Sequence, residues 1–257
     1  MKKISGNTIL ITGGGSGIGL ALAEALKGLD NQILIAGRSK SKLEAAAKKG
    51  FKTFEVDMMD LQSIQTLAKK VTQEFPALNA VIHNAGIMKT EILLEADTSE
   101  IAADTVNTNL LGPIRLTQAL LAHLKTKPYA MIMTVTSGLA FVPLTLTPTY
   151  SASKAALHSY TESLRYQLAK TNIEVFELAP PYVQTELTGA HQATDPNAMP
   201  LAEYISEVIS LLKSKPASGE ILVQRVHPLR FAEQKGAEAY SSLFFQMNNA
   251  RWAAVKK

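Results

Sequence analysis

Short, almost uninterrupted apolar runs alternate along this chain with longer stretches in which apolar residues recur every three or four positions. Runs of the first kind suit strands covered on both faces, and stretches of the second suit helices with one buried stripe. Their regular alternation predicts strand-helix-strand units and a parallel sheet. Strands are predicted at residues 7–12, 32–37, 51–56, 78–83, 129–135, 174–178 and 220–224. Helices are predicted at 17–29, 40–49, 61–74, over much of 99–125, from Tyr150 to about 171, and at 201–213. Pro180-Pro181 stops the sixth strand, and a loop rich in Thr, Pro and Gly follows over about 185–200. No repeat, low-complexity tract or linker interrupts the pattern. It therefore predicts one α/β domain over residues 1–257, with a core at about 7–224 and a C-terminal helical extension at about 226–257.

Composition narrows the function classes. The 257 residues are 46% hydrophobic and 19% charged, as expected of a globular chain with a large core. The absence of cysteine excludes disulfides, thiolate zinc sites and thiol redox chemistry, and no other metal site is expected. The net charge is +4, and its basic residues are scattered apart from Arg38, Lys40 and Lys42 and from Lys48 and Lys49. A nucleic-acid partner is not expected, because no basic stripe with interleaved aromatics forms. The basic start, Met1-Lys2-Lys3-Ile4, is followed by Gly6, Asn7 and the run Gly13-Gly14-Gly15, which break any signal-like apolar segment. No run approaches the roughly 18 apolar residues of a spanning helix, so a soluble, cytoplasmic protein without a membrane partner is expected.

Three clusters carry candidate chemistry. Thr12-Gly13-Gly14-Gly15-Ser16-Gly17-Ile18-Gly19 lies where the first strand turns into the first helix, and glycines there let a pyrophosphate approach free N–H groups. A merely flexible turn is the plainer reading. The second strand ends in Ala36-Gly37-Arg38-Ser39, with a guanidinium where an acid would bind the ribose hydroxyls of NAD. A phosphate-gripping Arg38 with Ser39 beside it predicts NADPH/NADP+ over NAD(H), unless Arg38 is simply a solvated helix-entry residue. Tyr150 and Lys154 stand four apart on a predicted helix, hence on one face. A cation held there is expected to pull the phenol from about pH 10 toward neutrality, so that it can exchange a proton. Otherwise the pair is one ring packed on the core and one solvated stem.

Together these clusters, with Asp57 after the third strand, Asn84-Ala85-Gly86 after the fourth, Asn109 and Ser137, resemble the short-chain dehydrogenase/reductase family over about residues 7–224. The resemblance implies a Rossmann-type doubly wound sheet of seven parallel strands with helices on both faces. It also implies reversible hydride transfer between NADP(H) and a small carbonyl or alcohol. Within that scheme Tyr150 exchanges the proton, Ser137 holds the substrate oxygen, and Lys154 lowers the tyrosine pKa and bonds the nicotinamide ribose. Asn109, preferred over Asn107, holds a water that links Lys154 to solvent. Asp57 and Met58 face the adenine, Asn84, Ala85 and Gly86 help place the cofactor, and Pro180, Val183 and Thr185 flank the nicotinamide. A homodimer or homotetramer is implied as well.

Two stretches depart from the family pattern. Pro181 stands where the family has glycine and removes an N–H. The tail carries Phe231, Tyr240, Leu243, Phe244, Phe245, Met247 and Trp252, expected to pack on the body or on another subunit, or to cover the substrate pocket. It resembles a bacterial oxidoreductase subgroup encoded with lipoteichoic-acid D-alanylation genes. Leu139, Phe141, Val142, Leu144 and Leu146 are expected to give that pocket an apolar wall. The competing reading of the whole chain is an NADPH-binding regulatory or structural protein that keeps the fold without turnover.

Overall fold

The computed structural model describes residues 3–214 and 216–255. Seven parallel strands form one sheet: β1 (Thr8–Thr12), β2 (Gln32–Gly37), β3 (Lys52–Glu55), β4 (Leu78–His83), β5 (Ala130–Val135), β6 (Ile173–Leu178) and β7 (Glu220–Ile221). Their spatial order is β3-β2-β1-β4-β5-β6-β7. Successive residues of each strand face opposite sides, so Ile9, Ile11, Ile33, Ile35, Ala80 and Ile82 enter one core. Leu10, Leu34, Val81 and Ile132 enter the other. Helices α1 (Gly17–Lys27), α2 (Lys40–Lys48) and α7 (Leu201–Ser214) contribute Leu22, Leu43 and Val208 to the first core. The second takes Ile64, Leu116 and Leu164 from α3 (Leu61–Glu74), α5 (Gly112–Lys125) and α6 (Pro148–Leu168).

Two elements depart from expectation. The helical stretch over 99–125 is α4 (Ser99–Val106) and α5 joined by a π-helical turn, Asn107–Leu111, that surrounds the buried Asn109. Strand β7 is shorter than 220–224. Its register pairs Glu177 with Glu220 and Leu178 with Ile221, and the next positions along β6 run into Pro180 and Pro181, which have no N–H to continue the ladder. Beyond it, α8 (His227–Arg230) and the long α9 (Ala237–Val255) form the predicted extension.

Chain order reverses between β1 and β4, and this is where open sheets leave a crevice above the strand ends. Here Gly13 adopts φ +65°, and a Cβ on it would come 2.8 Å from the Ala85 Cα. Gly13→Ala is expected to lower folding stability by roughly 1–3 kcal/mol through left-handed strain and this clash. Denaturant titration checks it against Gly37→Ala, whose Cβ would meet only Leu43, at 3.8 Å.

Candidate active site

Above the β1–β4 crevice, the glycine-rich turn exposes the start of α1. Ser16 makes no side-chain cap on that helix, so its first N–H groups are left to another acceptor. Gly17 has φ +53°, Gly15 lies against Lys42 with a Cβ contact of 3.1 Å, and a Cβ on Gly19 would collide with Asn84 and the Gly13 carbonyl. Side chains would fill this cradle, and bare backbone leaves it fit for a pyrophosphate. Thr12 is fully buried, and its hydroxyl accepts from the N–H groups of Asn84 (3.1 Å) and Ala85 (3.2 Å). The Asn84 amide donates to the carbonyls of Thr12 (3.2 Å) and Gly13 (3.1 Å). Thr12 and Asn84 therefore brace the turn through their side chains.

Beside the glycine turn, Arg38 and Ser39 are exposed at the tip of β2. Ser39 caps α2, accepting from the Lys42 N–H, while Lys42 Nζ donates to Ser16 Oγ at 3.1 Å. Lys42 thus joins Arg38 beside the glycine turn. The sequence signal for it was available, a second cation one helical turn past Arg38. Asp57 is half-buried, with one oxygen accepting from the Met59 N–H. The Met58 side chain lies in the core, so only its backbone could face a ligand.

Ser137, Tyr150 and Lys154 converge at the end of β5. All three are buried, and the Ser137 hydroxyl lies close enough to the Tyr150 hydroxyl to favour its phenolate slightly. Lys154 Nζ donates to the Val135 carbonyl at 2.8 Å and sits 5.6 Å from the centre of the Tyr150 ring. The expected acidified phenol is not what this arrangement gives. Burial pushes Tyr150 up to about 12 against the smaller opposite effect of Ser137, and burial brings Lys154 down to about 8. Desolvation of the charged forms governs both groups. Asn109 accepts from the Ile87 N–H and donates to the Ile87 carbonyl (2.9 Å each) and to Ser153 Oγ (3.1 Å). It clamps the segment after Gly86 to the Tyr150 helix, and a Cβ on Gly86 would lie 3.3 Å from its Oδ1 and 3.6 Å from Lys154 Nζ. Glu91, also buried, takes the Thr149 N–H and hydroxyl at the start of that helix.

Past the end of β6, the Pro180 carbonyl accepts from the Gly138 N–H. Val183 is held by a parallel bridge to Met199, and buried Gln192 binds the Val183 carbonyl (2.8 Å) and Thr185 Oγ1 (3.0 Å). Nothing local in the sequence marks Gln192, since its partners lie across a loop. A cavity of about 300 Å³ beside the first turn of α6 is lined by Met88, Lys89, Thr90, Thr147, Leu187 and Thr188, while of the apolar residues before Tyr150, Leu139 and Phe141 are half-buried and Val142, Leu144 and Leu146 buried. The Thr147 hydroxyl is itself buried and unpartnered.

Behind Ser137 lies a charged network. Fully buried Glu177 accepts from Thr136 Oγ1 (2.6 Å) and His158 Nδ1 (2.8 Å). Glu220 holds Arg230 through two hydrogen bonds, at 2.6 and 3.1 Å. His158, Glu177 and Glu220 bring ligand-type atoms within 4.8 Å of one another, yet both carboxylates already serve these donors.

A family model described as short chain dehydrogenase matches residues 7–196. An uncharacterized oxidoreductase of Bacillus subtilis, DltE, is 39% identical over 253 residues, covering 96% of this chain and 98% of its own. That span takes in the C-terminal extension and bears out the likeness to a bacterial oxidoreductase subgroup. A short chain dehydrogenase from Burkholderia cenocepacia solved with NADP superposes with a TM-score of 0.81 at 24% identity, covering 94% of this chain and 98% of that one. One from Burkholderia phymatum solved with NAD gives 0.75 at 22% identity, covering 91% and 95%.

Glu177 raises the pKa of His158, chiefly through their hydrogen bond. The stabilisation from this cation is complete below the unfolded value of 6.5 and is lost as pH rises through the higher folded value. The stability difference between the wild type and His158→Gln is therefore expected to be larger at pH 5.5 than at pH 9, as read by denaturant titration at the two values.

Proposed function

The chain belongs to the short chain dehydrogenase family as one of its oxidoreductases, and we propose that it reduces a carbonyl compound to an alcohol with NADPH. The observation that carries this reading is the convergence of buried Ser137, Tyr150 and Lys154 at the end of β5, the last two one helical turn apart. A phenol held near 12 keeps its proton at any working pH, so the resting site is loaded for reduction. Nicotinamide supplies the hydride when bound.

The chain's own groups do the rest. Ser137 donates a hydrogen bond to the substrate oxygen and Tyr150 gives it the proton as negative charge develops there. Lys154, buried with its pKa near 8, is still mostly cationic at neutral pH, and in a dry site its charge favours the phenolate left behind. Asn109 is a positioning residue that fixes the segment after Gly86 against α6. The glycine turn takes the pyrophosphate, Asp57 the adenine, and Val183 and Thr185 the nicotinamide. Arg38, Ser39 and Lys42 make a basic edge suited to a 2′-phosphate, with no acid to repel it. The cavity with Lys89, Thr90, Thr188 and the orphaned Thr147 hydroxyl suits a substrate whose flank carries hydrogen-bond acceptors or negative charge.

The reading is tested by NADPH fluorescence titration followed by absorbance assays with ketones, aldehydes and keto acids. Binding without oxidation across that panel would mark a non-catalytic regulator. Tyr150→Phe is expected to lower turnover by roughly 10²–10⁴-fold with NADPH affinity retained, because only proton donation is lost. Arg38→Ala is expected to lower the ratio of NADPH to NADH affinity on the order of tenfold, since removing one charged hydrogen-bonding group forfeits about 1.5 kcal/mol. An unchanged ratio in paired titrations would remove Arg38 from the phosphate site.

A further inference from the structure

The segment 138–147 joins Ser137 to the helix that carries Tyr150, and the C-terminal extension grips it along its length. At its start, a Cβ on Gly138 would lie 2.6 Å from Leu229 Cδ1 and 3.0 Å from Val226 Cγ2, so the extension packs directly on the residue after Ser137. In its middle, the Arg230 guanidinium, fixed by Glu220, lies 4.8 Å from the centre of the Phe141 ring. Near its end, Asn248 Oδ1 accepts from the Thr145 N–H (2.7 Å) and hydroxyl (2.8 Å). Asn248 Nδ2 donates to the Pro143 carbonyl (3.2 Å), and Trp252 Nε1 donates to Thr145 Oγ1 (2.5 Å). On the opposite rim, the Arg251 guanidinium lies 5.3 Å from the Tyr182 ring centre, and Tyr182 bonds Asp195 (3.0 Å).

Chemistry sets this helix apart from a generic cover. Among the described side chains of α9 the fully buried one is an amide, Asn248, while Tyr240, Leu243, Phe244, Met247 and Trp252 are half-buried and Phe245 is exposed. A buried amide is kept only where its hydrogen bonds are met, and here three of the four go to two loop residues and the fourth to the Phe244 carbonyl of its own helix.

We propose that α9 is a bracket across the active-site rim, in which Asn248 and Trp252 act as positioning residues that hold segment 138–147, and through it the Ser137–Tyr150 pair, in reacting geometry. The proposal rests on the reductase reading. Because the gripped segment and the Tyr182–Asp195 loop flank the substrate cavity, the bracket also sets which carbonyl compounds fit. Displacement of a catalytic pair by about 1 Å is enough to cost on the order of 10²-fold in rate.

The test compares Asn248→Ala, Trp252→Phe and Thr145→Val with the wild type in NADPH affinity, in kcat and KM for a small and a branched ketone, and in amide hydrogen exchange over residues 139–147. Faster exchange in that segment, kcat reduced on the order of tenfold and unchanged NADPH affinity are expected, with KM shifting differently for the two ketones. Trp252→Phe and Thr145→Val each remove few atoms, so they decide the matter should Asn248→Ala fail to fold. Unchanged kcat and KM in both would overturn the bracket, and faster exchange with unchanged kinetics would reduce it to a structural contact and overturn it equally. A wild-type protein inactive on every carbonyl tested sinks the reductase reading instead. The positioning of a reacting pair falls with it, whereas unchanged exchange in an active protein would overturn the grip on segment 139–147 alone.

Discussion

Four hydrogen bonds between Thr12-Gly13 and Asn84-Ala85 tie β1 to the segment after β4 at the place where chain order reverses. Strands diverge in connectivity there: the helix after β1 packs into one core and the helices after β4 into the other. Without a tie the two loops could splay. With it, the glycine turn and the segment 84–87 become one rigid unit, and both ends of the candidate site are referred to it. The turn supplies the exposed start of α1. Two residues past Ala85, Ile87 is clamped by Asn109, and Asn109 in turn binds Ser153, the neighbour of Lys154. A short chain of bonds thus connects the cradle for an anion to the groups that would move a proton.

The second constraint is dryness. Tyr150 and Lys154 lose water together, so each is pushed toward its neutral form. Spacing on a helix face suggested attraction as the dominant effect, but an ammonium bonded to the Val135 carbonyl and set beside the ring does not outweigh the loss of solvent. Loss of solvent, rather than helix spacing, sets the direction of both shifts.

Much of the fold was legible because its signals are periodic. Strands β2 and β4 and helix α3 fall at the residues that the apolar pattern marks. The glycine turn, Ser137, Tyr150 and Lys154 were legible because their spacing is local to strand ends and one helix face. What escaped has no local period. Gln192, Asn248 and Glu177 matter through partners far off in sequence or across a loop, and the π turn at Asn107–Leu111 is a one-residue change in helical hydrogen bonding that leaves the apolar stripe intact. The early end of β7 follows from prolines on its neighbour, a cross-strand effect that no single run displays.

The buried charges behind Ser137 fit the same logic as the tail. A buried carboxylate needs hydrogen-bond partners, and fully buried Glu177 takes them from Thr136, the residue before Ser137, and from His158, one turn past Lys154 on α6. Glu220 on the adjoining strand takes its cation, Arg230, from the C-terminal extension. Arg230 then leans on Phe141, inside the segment that Asn248 and Trp252 hold farther along. The extension therefore reaches the surroundings of Ser137 and Tyr150 by two routes, one electrostatic through the sheet and one through hydrogen bonds to the segment between them. A tail that merely covered exposed core would have needed neither.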